Sequence, residues 1–76
     1  MLMEGCQSRM RNIFGENLKR IREEKGISQE TLANAIGVCR TDISKWENGK
    51  RYPQLIWVYE IAGKLDIPIE DLICDK

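Results

Sequence analysis

Seventy-six residues leave room for one domain with a modest core, because a chain this short buries only about 60–65% of the surface its unfolded form exposes. A 42% hydrophobic share argues against an intrinsically disordered chain, and a formal net charge of zero argues against a strong nonspecific pull on polyanions. The charge is uneven, however: Met1 to Tyr52 holds ten Lys and Arg against seven Asp and Glu (+3), and Pro53 to Lys76 two against five (−3), one half suited to a polyanion and the other to something else.

No apolar run reaches the roughly 18 residues that span a membrane, and MLMEGCQSRMR lacks the continuous apolar stretch of a signal peptide, so a cytoplasmic protein with no membrane partner is expected. Cys6, Cys39 and Cys74 are odd in number and far apart, in a chain without histidine. That fits neither a disulfide framework nor a common zinc site, and reduced thiols are expected. Without histidine, clustered acids, a glycine-rich phosphate loop or paired cysteines there is no catalytic constellation; neither an enzyme, a cofactor, a metal nor a small-molecule substrate is expected.

Residues 1–11 are short and irregular and are read as a flexible N-terminal segment whose Arg9 and Arg11 either form a basic arm or fray. Asn12 then caps a first helix with Phe14, Leu18 and Ile21 at helical spacing, ended by Gly26. Ser28 caps a second, SQETLANAI, facing Leu32, Ala33 and Ile36 inward and stopping at Gly37. The third runs from Cys39 to Glu47 and stops at Asn48-Gly49, before the loop Lys50-Arg51-Tyr52-Pro53. A fourth places Leu55, Val58, Ile61, Ala62 and Leu65 on one face, and a short fifth from Pro68 buries Ile69 and Leu72, with Ile73 as a further candidate. Nothing alternates with strand period. Residues 12–76 therefore read as one all-α domain, a compact five-helix bundle.

The third helix is unusually polar. Ile43 and Trp46 hold its inner face, which leaves Arg40, Thr41, Ser44 and Lys45 outward. Two helices joined at Gly37-Val38 and locked by Leu32, Ile36, Val38, Ile43 and Trp46, with small Ala33 between, form the pattern of a helix-turn-helix whose second helix can enter the DNA major groove.

From Leu18 to Leu72 the chain resembles the Cro and phage-repressor (xenobiotic-response-element) type of helix-turn-helix domain, most specifically in GISQETLA, the run Trp46 to Pro53 (WENGKRYP) and the closing DIPIEDL. The resemblance implies a transcriptional regulator, in most cases a repressor, that binds palindromic operator DNA as a homodimer. It implies that Gln29 touches a phosphate and buttresses the recognition helix, and that Arg40, Thr41 and Lys45 reach base edges. Ser44 would lie near backbone or bases, and Asn48, Lys50 and Arg51 would contact phosphate. Arg or Lys can donate to guanine O6 and N7, and Thr can offer its hydroxyl or its methyl. Arg22 and Glu47 match a pair that forms a buried salt bridge in the family.

Three positions depart from the family pattern. Cys39 stands where Ser or Thr both caps the helix and bonds a phosphate, which a thiol does poorly; it is a small apolar cap substitute, or else a redox-sensitive site. Asp42 either bonds free N–H groups at the third helical position or accepts from a cytosine amino group. Ile56 and Trp57 add an apolar strip beside Tyr59, Glu60 and Gly63, expected to contribute to self-association through Ile56, Trp57, Glu60 and Gly63, against the simpler reading of a Trp lying flat on the bundle. The alternative function is a protein-interaction module, antitoxin-like or a regulator of another DNA-binding protein, that uses this face of the fourth helix.

Overall fold

The computed structural model describes the backbone of residues 2–74 and the side chains of residues 12–74. Five helices follow one another: α1 (Leu2–Glu24), α2 (Gln29–Ile36), α3 (Arg40–Glu47), α4 (Leu55–Leu65) and α5 (Glu70–Ile73), with no strand among the described residues. Phe14 and Leu18 from α1, Leu32 from α2, Ile43 from α3, Ile61 and Leu65 from α4, and Leu72 from α5 are fully buried at the centre. Each such aliphatic side chain contributes about 1.5–3 kcal/mol against leaving it in water.

The helix expected to start at Asn12 starts instead at Leu2. No proline interrupts residues 2–11, and Asn12 lies inside the helix with its side chain against Gly49 rather than at a cap. The side chains of the proposed N-terminal arm, Arg9 and Arg11 among them, lie outside the described residues, as does that of Cys6. The stop at Gly26 falls where expected. Gly26 adopts φ +70°, and Ile27 N–H donates to Arg22 O at 3.0 Å.

Helix α2 has the expected Ser28 cap, whose hydroxyl accepts from Thr31 N–H at 3.0 Å. At its other end Gly37 takes φ +85°, and both Gly37 N–H and Val38 N–H donate to Ala33 O. This left-handed turn reverses the chain within two residues and sets the α2–α3 angle.

In α4 the inward stripe is Val58, Ile61, Ala62 and Leu65, with Trp57 half-buried against the core. Two expectations are corrected here. Leu55, expected inward, is 68% exposed: the buried stripe of α4 begins only at Val58, and Pro53, ahead of the helix, is buried instead. Trp57, expected on an exposed strip, instead flanks the inward face, four residues before Ile61 along the helix. Ile73 is also turned outward, 44% exposed, while Ile69 and Leu72 pack inward. Helix α5 is held by buried Asn17, whose side-chain amide donates to Leu72 O at 2.8 Å and Cys74 O at 2.9 Å.

Candidate nucleic-acid interface

Helix α3 rests on α1 and α2 through fully buried Ile43 and through Trp46, 6% exposed. Its opposite face carries Arg40, Thr41 and Lys45, all exposed, and half-buried Ser44. Asn48, Lys50 and Arg51 continue this exposed polar edge beyond the helix end. Asn48 Nδ2 donates to Ser44 Oγ at 3.3 Å, and the amides of Lys50 and Arg51 both point at Lys45 O, at 2.9 and 3.4 Å. The loop thus closes over the carbonyl end of α3, keeping Lys50 and Arg51 beside its exposed polar face.

What fixes the angle of this face is a buried ion pair. Arg22 Nε donates to Glu47 Oε2 at 2.6 Å and Arg22 Nη2 to Glu47 Oε1 at 3.2 Å, a bidentate arrangement between the last turn of α1 and the last turn of α3. Arg22 Nη1 also donates to Ile27 O at 2.7 Å, tying the α1–α2 connection to the same point. Donation to the Glu47 carboxylate holds the Arg22 guanidinium above its ordinary pKa, against the opposing effect of burial.

Gln29 extends the network outward. Its Nε2 donates to Glu47 Oε1 at 2.9 Å, which turns its Oε1 toward Arg40, whose Nη1 donates to it at 3.5 Å. A continuous polar chain therefore runs from buried Arg22 through Glu47 and Gln29 to the first residue of α3. A closer approach underlies the same region. A Cβ on Gly15 would lie 2.5 Å from Trp46 O and 2.6 Å from Glu47 O, so α1 and the carboxyl end of α3 touch backbone to backbone. Gly15 and Asn17 were missed in the sequence reading; a glycine inside a helical pattern was the available signal for the first.

At the amino end of α3, Cys39 caps without a side-chain hydrogen bond, and Asp42 Oδ2 accepts from Cys39 N–H at 3.3 Å. The arrangement has the shape of a capping box in which a thiol, a weak acceptor, stands where a hydroxyl serves best. Asp42 thus takes the capping role, which needs no nucleic acid. Cys39→Ser should strengthen the thiol half with a better acceptor, raising stability by about 0.5–1 kcal/mol in urea denaturation, with an accompanying gain in DNA affinity by filter binding.

Tyr52 packs edge-to-face on Phe14, ring centroids 5.4 Å apart at 64°, and burial pushes its phenol pKa up. Of the expected self-association residues, Ile56, Glu60 and Gly63 are exposed, and Trp57 is turned toward the core. The exposed apolar surface of α4 is instead Leu55, Ile56 (59%) and Tyr59 (60%), on the face opposite the buried stripe.

Residues 18–72 match the helix-turn-helix family model. The chain is 40% identical over 60 residues to the transcriptional activator BcrR of Enterococcus faecalis and 41% identical over 61 residues to the transcriptional repressor RghR of Bacillus subtilis, covering 79% of this chain in each case. It spans only 29% and 45% of those two proteins' lengths. The crystal structure of the restriction-modification controller protein C.AhdI from Aeromonas hydrophila superposes with a TM-score of 0.78 at 37% identity, over 82% of this chain and 94% of that one. A buried-pair scaffold presenting a polar α3, a match over most of the chain and this structural likeness place the protein in the helix-turn-helix family of DNA-binding transcriptional regulators.

Proposed function

We propose that the protein represses transcription as a cytoplasmic homodimer, reading a palindromic operator with α3. The observation that carries this reading is the exposed face of Arg40, Thr41 and Lys45, oriented by the Arg22–Glu47–Gln29 network rather than used in the core. Arg40 can donate both guanidinium arms to guanine O6 and N7, while Thr41 and Lys45 sit one position and one turn further along the groove. Gln29, Ser44, Asn48, Lys50 and Arg51 flank them where phosphates would pass. A two-fold dimer would set its half-sites about 34 Å apart, and a bound regulator of this size would block polymerase access by occupancy.

Selection from a random duplex pool, followed by titration of enriched sites at two salt concentrations, tests the reading. A palindromic site is expected. Arg40→Ala should cost about 1–3 kcal/mol and relax preference at one base position, while Lys50→Ala should weaken all sites alike and reduce the salt slope by about one. Enrichment of nothing by folded protein would sink the reading.

The exposed Leu55, Ile56 and Tyr59 support self-association through α4. Ile56→Lys should shift sedimentation to the monomer and weaken operator binding without lowering the melting temperature. An unchanged dimer would turn attention to the second reading, in which this face binds a different protein; such association, unlike DNA binding, would resist rising salt.

A further inference from the structure

Four of the glycines whose surroundings are described answer a need within the chain. Gly15 lies against the backbone of α3, and Gly26, Gly37 and Gly49 hold positive φ. Gly63 answers none. It sits inside α4, exposed and without a positive φ, and a Cβ there would meet nothing within 4 Å. Glycine in an open helix interior destabilises it relative to alanine, so a single copy of the chain is weakened here to no effect. A groove of about 310 Å³ occupies this position, lined by Tyr59, Glu60, Gly63 and Lys64, all exposed. Exposed Ile56 lies seven residues before Gly63 and three before Tyr59, a spacing that continues the same helix face.

We propose that α4 of a second copy fills this groove, the two helices crossing antiparallel about a two-fold axis beside Gly63. The proposal rests on the self-association reading and adds to it the point and the direction of contact. Where neither helix carries a side chain, two backbones can approach more closely than the about 8–10 Å usual between packed helices. A two-fold interface presents the same patch twice, so the patch must complement itself. Glu60 and Lys64 meet that condition. They stand one turn apart beside Gly63, and an antiparallel crossing sets Glu60 of each copy opposite Lys64 of the other. A parallel crossing would set Glu60 against Glu60 and Lys64 against Lys64, and a partner of one charge sign would leave one of the two residues opposed. Ile56 and Tyr59 then extend the contact toward the amino end of α4, covering apolar surface that one copy leaves in water.

Sedimentation of the full chain over a concentration series tests the crossing, with thermal melting of the dilute monomer alongside. Gly63→Ala should raise the melting temperature of the monomer yet raise the dimer dissociation constant about tenfold. A glycine that merely weakens its helix would not move the two readings in opposite directions. Gly63→Leu should leave only monomer. Glu60→Lys and Lys64→Glu should each weaken the homodimer about tenfold, whereas an equimolar mixture of the two variants, and a chain carrying both substitutions, should associate as tightly as the unaltered protein. A dimer indifferent to Gly63→Leu overturns the proposal and assigns self-association to another surface. Weakening by Gly63→Leu without any effect of the charge reversals overturns the antiparallel direction. An unaltered protein that stays monomeric throughout the series overturns the self-association reading and the crossing together.

Discussion

Gly15→Ala should lower the unfolding free energy in urea by about 3 kcal/mol and abolish operator binding. The new methyl would meet two carbonyl oxygens, Trp46 O and Glu47 O, and the Glu47 carbonyl carbon at 2.9 Å, all of them backbone. No side chain can rotate away from such a contact, so the helices themselves must part. In an open helix interior the same change would be stabilising by roughly 0.5–1 kcal/mol, because alanine is the better helix former. The sign of the measured effect therefore decides between close backbone approach and a mere helix-weakening glycine. Gly15→Val should be worse still. The loss of binding should exceed what partial unfolding explains, since the displaced element is the one that carries Arg40, Thr41 and Lys45.

Removing one partner of the buried ion pair should be costlier. Arg22→Met leaves Glu47 buried with only Gln29 to answer it, and Glu47→Leu leaves a guanidinium in the same position; each should cost about 3–5 kcal/mol. Combined, Arg22→Met and Glu47→Leu should recover most of that loss in a double-mutant cycle, because a well-packed apolar pair pays no desolvation penalty. DNA recognition should not recover with it. Without Glu47, the Gln29 amide loses the acceptor that orients it, and Arg40 loses its support in turn. The pH dependence has a definite sign. The folded pKa of Arg22 is raised, so its contribution is fully present below the unfolded value and is lost only as pH rises through the folded one, beyond the range in which proteins are handled. Stability drawn from Arg22 should therefore be flat from neutral to mildly alkaline pH.

Much of this was legible from single residues with one strong conformational preference. Ser28, Gly37 and the Asn48-Gly49 pair each act locally, and the bounds of α2 and α3 fell within a residue of where those signals placed them. The polar face of α3 was legible for the same reason: two apolar positions three apart leave little freedom over which side turns inward. Asn12 misled because a capping residue is informative only when the preceding segment is not helical, and Leu2 to Arg11 is. Leu55 and Trp57 misled because periodicity gives the phase of a helix but not where the bundle beneath it ends. Gly15 and Asn17 act through partners 31 and more residues away, Trp46 for the first and Leu72 for the second, and no local pattern encodes such a meeting.

The outward residues of α3 are not equally bound to the scaffold. Arg40 leans on Gln29 and Asp42 holds the helix start, whereas the side chains of Thr41 and Lys45 are exposed and engage no other described residue. Positions 41 and 45 can therefore change with little toll on folding, while change at positions 40 and 42 must be matched by change elsewhere. A library confined to positions 41 and 45 would therefore vary the outward chemistry of α3 while leaving the scaffold beneath it intact.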